Sequence, residues 1–206
     1  KRDKVLAIIL PYVEGKDVLD VCCVEHSIEN KNRERLWVHD LLKKNSRKVT
    51  GIDILKSDVE KLKRQGYNVC CQNAERFKFK KKFDVIFAGE LIEHLSNPGL
   101  FLSQCRVHLK KGGKLIITTP NAFSLYRTLV SVLRLNNDPP VNDEHTIWYS
   151  PKVIRSLLSR YNFRVLRESY ADYPYFKPRF DIRVSNYLSS ISLRSKETMI
   201  IVAERK

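Results

Sequence analysis

Short β-like runs alternate with helix-patterned stretches along most of the chain, and this alternation restricts the fold more than any other feature. Strands separated by helices pair in parallel, with the helices crossing over the faces of the sheet. The strands expected are 17–23, 48–53, 67–71, 83–88 and 114–119. Between the first two, Trp37, Val38, Leu41 and Leu42 recur at helical spacing in a helix of about 33–44. Ser57 and Glu60 form a capping-box pattern for a helix that Gly66 stops. Asn97-Pro98 opens another helix, with Phe101, Leu102, Cys105 and Leu109 inward, and Lys110, Lys111 and Gly112 end it. Ser150-Pro151 caps a further helix with Ile154, Leu157, Leu158 and Tyr161 on one face. The runs 163–170 and 198–204 come late and close in sequence, so an antiparallel edge pair is expected. The class is therefore α/β with a mostly parallel sheet.

A length of 206 residues with 43% hydrophobic content suits a single domain, 1–206, with a real core. Two stretches break the alternation, at about 121–149 and 171–192. Inserts that follow strand ends usually build the substrate side of an α/β enzyme. The apolar run Val5 to Leu10 is ended by Pro11, and no run approaches the roughly 18 residues of a membrane span. No signal-peptide pattern precedes it, so a soluble, cytoplasmic protein is expected. Five cysteines, Cys22-Cys23, Cys70-Cys71 and Cys105, form neither a disulfide framework nor a zinc site and read as buried thiols in a reducing compartment. The net charge of +15 will draw polyanions such as RNA, DNA or anionic lipid, and charge alone does not choose among them. Nothing in the sequence indicates a dedicated protein partner.

Ligands of an open α/β sheet bind beyond the carboxyl ends of its strands. Those ends read, in order, VLDVCCVEHS, VTGIDI, QNAERF, AGELIEHLSNP and ITTPN. Asp53, last on its strand, is placed to accept both hydroxyls of a ribose. The ordered set resembles the class I S-adenosylmethionine-dependent methyltransferases (type 11/23-like) from about Val18 to Phe163, most strongly in FDVIFAGELIEHLSNPGLFL and LKKGGKLIITTPN. The resemblance implies a Rossmann-like, seven-stranded, mostly parallel sheet with an antiparallel last strand and helices on both faces. It implies S-adenosylmethionine as cofactor. Asp20 would sit near the methionine amino group, Asp53 on the ribose and Ile54 against the adenine. Asn73 and the backbone of Ala74 would meet the adenine edge. The turn after Ala88, at Gly89, would lie beside the reactive methyl. The family's first loop usually reads G-x-G-x-G, whereas Cys22, Val24 and His26 stand at those positions here. Val24 is β-branched and suits no positive-φ position, so a different loop path is expected.

If residues 90–97 begin helically, Glu90, Glu93 and His94 share one face. With His145 from the insert they make a Glu, Glu, His, His set suited to a divalent metal, Mn or Mg among them. This set is similar to the E-x-x-E-H segment and later His of small-RNA 3′-terminal 2′-O-methyltransferases. E-x-x-E-H-like segments also occur in metal-free methyltransferases of lipids, quinones and glycans, where His94 would serve as general base, with Glu90 the second candidate. The leading expectation is O-methylation, by in-line methyl transfer, of an acceptor the sequence does not identify. The alternatives are a metal-dependent RNA 2′-O-methyltransferase, drawn to RNA by the +15 charge, and a catalytically silent methyltransferase-like binding subunit. The first two keep the cofactor; the third follows from the missing glycines.

Overall fold

The computed structural model describes residues 2–24, 37–125, 127, 128, 131, 142–171 and 196–206. The chain runs α1 (Arg2–Val13), β1 (Asp17–Val21), α2 (Val38–Asn45), β2 (Lys48–Asp53), α3 (Lys56–Arg64), β3 (Val69–Cys71) and β4 (Phe83–Gly89). A single 3₁₀ turn (Ile92–His94) leads to α4 (Pro98–His108), β5 (Leu109–Pro120), α5 (Pro151–Arg160), β6 (Phe163–Ala171) and β7 (Thr198–Arg205).

The sheet has seven strands in the order β3-β2-β1-β4-β5-β7-β6. Every pairing from β3 to β5 is parallel, and β7 runs antiparallel to both β5 and β6. The order reverses between β1 and β4, so the crevice that accepts ligands lies above their carboxyl ends. Register carries the ends into line: Val21 pairs with Ile52 and with Ala88, and Asp53 pairs with Cys71.

Period-two alternation divides each central strand between two cores. Leu19, Val21, Ile86, Ala88, Leu115 and Ile117 pack on one face with Phe101, Leu102, Ile154 and Leu158 of α4 and α5. Val18, Val85, Phe87 and Ile116 pack on the other with Ile9 and Val13 of α1 and Leu42 of α2. Helices therefore cover both faces of the sheet.

The segment Arg2–Val13, for which the apolar run ahead of Pro11 suggested no particular element, is a helix that carries the proline inside it. Two local expectations need correction. The capping box at Ser57 does not form: α3 starts at Lys56, Leu55 makes no side-chain cap, and Ser57 Oγ meets Asp58. Residues 90–97 do not begin an α-helix, because Glu90 takes a left-handed φ of 47° and only Ile92–His94 turn, as 3₁₀. The cap at Ser150 does form, its Oγ accepting from the Val153 N–H at 3.2 Å. His26, the start of the first expected helix, much of the first insert and all of the second beyond Ala171 lie outside the described residues.

Candidate active site

The chain turns out of β1 through Cys22, whose φ is 68°. Its N–H and that of Cys23 converge on the carbonyl of Ile52, at 2.8 and 3.1 Å. A non-glycine residue in this region costs roughly 1–2 kcal/mol. Thus the loop does not avoid the positive-φ position by another path: Cys22 adopts it, while Val24 keeps a negative φ. The Val24 N–H donates to Asp53 Oδ2 at 2.9 Å, tying the loop to the end of β2.

Asp53 is buried, and its second oxygen accepts from the Leu55 N–H at 3.1 Å. Each carboxylate oxygen keeps a lone pair for a diol. Beside it Ile54 is 64% exposed, an apolar side chain held out where a flat base would cover it. At the end of β3, the Oδ1 of Asn73 accepts from the Glu75 N–H at 2.7 Å, which sets the turn that carries Ala74. Asp20, two residues before the left-handed Cys22, is buried against His39. Every cofactor residue expected from the sequence thus stands at the carboxyl end of β1, β2, β3 or β4.

At the end of β4, the Glu90 N–H is shared between the carbonyl and the Oγ1 of Thr118, at 3.0 and 3.1 Å. Burial pushes the Glu90 carboxyl up to about 7, against the pull of the Thr118 hydrogen bond and the Arg127 charge. Its Oε1 is buried without a hydrogen-bond partner. Glu93, 1% exposed, accepts from the Thr119 hydroxyl at 2.9 Å, and its Oε1 likewise has none. Burial, and then the negative charge of Glu90, raise the Glu93 carboxyl well above the usual range.

The second side of the site comes from residues 142–149. The Thr146 N–H donates to the Glu93 carbonyl at 2.8 Å, with the Ile147 N–H at 3.3 Å. The Thr146 hydroxyl is shared between the carbonyls of Glu93 and Leu95, at 3.0 and 3.1 Å. These bonds lay the segment along the 3₁₀ turn and bring His145 edge-to-face with His94, ring centroids 4.6 Å apart. One ligand atom each of Glu93, His94 and His145 then lies within 4.8 Å of the others. Ligands around a cation with bonds near 2.1 Å sit about 3–4 Å apart, so the cluster is slightly open for one ion. Glu90 stands outside this cluster, although its charge acts on Glu93. Tyr149 completes the wall: its buried hydroxyl has no hydrogen-bond partner, and burial with the Glu93 charge pushes it to about 12.

Sequence reasoning missed Thr118, Thr119, Thr146 and Tyr149, which hold or face the two glutamates. The threonines of β5 become neighbours of β4 only through strand pairing, with Gly89 opposite Thr118. Thr146 and Tyr149 lie in an insert without period, so no spacing announces them.

This is the fold of a class I S-adenosylmethionine-dependent methyltransferase. The pattern described as a methyltransferase domain matches residues 2–168, and the chain belongs to that family. It is 31% identical over 116 residues to the ubiquinone biosynthesis O-methyltransferase of Coxiella burnetii, a match covering 53% of this chain and 45% of the relative. The enzyme of the same name from Nitrobacter winogradskyi is 39% identical over 51 residues, 25% of this chain and 20% of that one. The chain therefore spans less than half the length of these relatives. A S-adenosylmethionine-dependent methyltransferase structure from Archaeoglobus fulgidus superposes with a TM-score of 0.66 at 19% identity, covering 100% of this chain and 95% of the other. The magnesium protoporphyrin IX methyltransferase of Synechocystis PCC 6803, solved with bound S-adenosylhomocysteine, gives 0.66 at 15% identity, covering 99% and 81%. No helix among the described residues is long and apolar enough to cross a membrane.

Proposed function

We propose that the chain methylates a hydroxyl oxygen from S-adenosylmethionine, with a divalent cation at the acceptor side. The observation that carries the reading is the cluster of Glu93, His94 and His145 at the end of β4, with a buried glutamate oxygen left without a hydrogen-bond partner. The names of the O-methyltransferase relatives agree with oxygen as the acceptor.

The residues at the strand ends fit the cofactor. Asp53 has lone pairs for the ribose, Ile54 an open apolar face for the adenine, and Asp20 a buried carboxylate for the ammonium group. Asn73 and Ala74 would meet the adenine edge, and Gly89 would lie beside the reactive methyl. S-adenosylmethionine supplies a methyl group made electrophilic by its sulfonium. Glu93, His94 and His145 would hold the cation, which supplies a Lewis acid that lowers the pKa of a bound hydroxyl. With His94 engaged there, Glu90 is the group placed to take the acceptor proton, on its carboxylate. Tyr149 and Thr119 close in the buried Glu93, Thr118 holds the Glu90 peptide, and the acceptor oxygen would be lined up between them for in-line transfer.

The +15 charge favours one second reading on the same residues: a 2′-O-methyltransferase of RNA ends. It requires binding to short RNA that weakens steeply with salt. A small phenolic acceptor requires neither.

Calorimetric titration with S-adenosylhomocysteine, then with Mn²⁺, in the full chain and in His145→Ala, tests the reading. Expected is ligand binding in both proteins and a cation signal lost in the variant. Labelled methyl transfer to phenols and to RNA ends, with and without chelator, then separates the acceptors. Absence of S-adenosylhomocysteine binding would refute the enzyme and leave a binding subunit. An unchanged cation signal in His145→Ala, or transfer indifferent to chelator, would remove the metal and return His94 to the role of base.

A further inference from the structure

A buried imidazole lies beneath the cofactor loop. His39, 1% exposed, reaches from α2 to bring Nδ1 within 2.7 Å of Asp20 Oδ2, on a carboxylate that is itself 3% exposed. A carboxylate only accepts, so Nδ1 carries the proton of this bond. The other ring nitrogen, Nε2, is buried and has no hydrogen-bond partner. A second proton there would lack an acceptor, so the neutral Nδ1–H tautomer is the one that fits. Leaving a buried nitrogen unused is costly where an apolar side chain would pack. The cost is understandable only through what Nδ1 does.

The same turn grips the loop a second time. Trp37, immediately before α2, donates its Nε1–H to the carbonyl of Cys23 at 2.9 Å, and its ring lies 5.1 Å from that of His39. Two side chains of one helix start thus hold the carboxyl end of β1: one on a loop carbonyl, the other on the carboxylate just before the left-handed Cys22. In a loop with cysteine and valine at positions where glycine is expected, the path is fixed by these outside anchors as well as by its own backbone.

We propose that His39 is a positioning residue for the cofactor: its Nδ1–H orients the Asp20 carboxylate toward the ammonium group of S-adenosylmethionine. The inference rests on the cofactor reading given under Proposed function. The chemistry suits a neutral donor. An arginine or lysine would orient Asp20 equally well but would add a positive charge beside the incoming cation. A neutral imidazole fixes the carboxylate and adds none.

The test compares two ligands that differ only at the amino-acid end. S-adenosylhomocysteine carries the ammonium group; 5′-methylthioadenosine has the same nucleoside and thioether but lacks it. His39→Leu removes the donor at similar volume, and His39→Asn keeps an N–H close to the Nδ1 position. The His39→Leu protein should bind S-adenosylhomocysteine about ten- to a hundredfold more weakly, as for loss of one hydrogen bond to a charged group. It should bind methylthioadenosine within about twofold of the parent chain, and His39→Asn should recover most of the lost affinity. Equal loss for both ligands, or no recovery with asparagine, would reduce His39 to a structural residue and overturn the proposal. So would unchanged S-adenosylhomocysteine affinity in His39→Leu. If the parent chain binds methylthioadenosine and S-adenosylhomocysteine equally, Asp20 does not meet the ammonium group and the proposal fails. Binding of neither ligand by the parent chain would instead refute the cofactor reading itself.

Discussion

Replacing Glu90 by Gln should flatten the dependence of stability on pH between pH 5 and 8 when divalent cations are chelated. In the folded protein burial favours the protonated acid and lifts its pKa from 4.5 to about 7. The unfolded chain ionises near the ordinary value. Below 4.5 both states are protonated and the folded state suffers no penalty from this group. As pH rises toward 7 the unfolded state releases its proton first, so stability falls, and above 7 the loss is complete. The rise from 4.5 to about 7 corresponds to roughly 3 kcal/mol. Glu90 is only half-buried as a residue, and solvent reaching it brings the effect to about 2–3 kcal/mol. Glutamine resembles the protonated acid, so the variant and the parent should lie close together at pH 5, where the loss has only begun, with the variant clearly the more stable at pH 8. Glu93 retains a slope of its own, made shallower because the Glu90 charge that raised its pKa is gone. Urea unfolding of both proteins at the two pH values measures the difference; titrating groups other than Glu93 cancel in the comparison, and the Glu93 change acts in the same direction. Parallel pH curves, or a variant less stable than the parent at pH 8, would refute the assignment of burial as the dominant influence on Glu90.

Two further substitutions probe the cofactor side. In Gly51→Ala the new Cβ would lie 2.6 Å from Cys23 Sγ, 2.8 Å from His39 Cε1 and 2.9 Å from Val69 Cγ1, so a loss of about 1–3 kcal/mol is expected in urea unfolding; an unchanged midpoint would mean that these side chains yield freely. Cys22→Gly removes a left-handed cost of roughly 1–2 kcal/mol and adds about 0.5–1 kcal/mol of unfolded-state freedom. The variant should be as stable as the parent or up to about 1 kcal/mol more so, with S-adenosylhomocysteine affinity kept. A marked loss of either would show that the position needs the cysteine side chain.

The parallel sheet was legible because each central strand is a short apolar run buried on both faces, with its helix partner marked by spacing or a cap. Asp53 was legible for the same reason: it ends a run of buried residues, and only a polar role explains a carboxylate there. The helix Arg2–Val13 was not, since a proline inside an apolar run reads as a stop, whereas Ile9 and Val13 pack into the core and carry the helix through it. The gathering of Glu93, His94 and His145 was foreseen through a helix that does not form. The left-handed Glu90 and one 3₁₀ turn bring Glu93 and His94 together by a different route and leave Glu90 outside the cluster. His39 falls within the helix expected at about 33–44, but nothing in the sequence marks a role for it, because its partner Asp20 lies on β1 and only the packing of α2 brings the two within a hydrogen bond.

The hydrogen bonds on the carbonyl of Glu93 join two parts of the molecule that are otherwise built independently. Everything assigned to the nucleoside and its amino-acid tail lies between residues 20 and 74, on strands whose pairing owes nothing to residues 142–149. On the proposed reading the acceptor side is completed by a segment 53 residues downstream of Glu93, fastened to the carbonyls of Glu93 and Leu95. On that reading such a joint makes the domain modular: the acceptor segment could be exchanged, and with it the molecule modified, while the residues assigned to the methyl donor stay as they are.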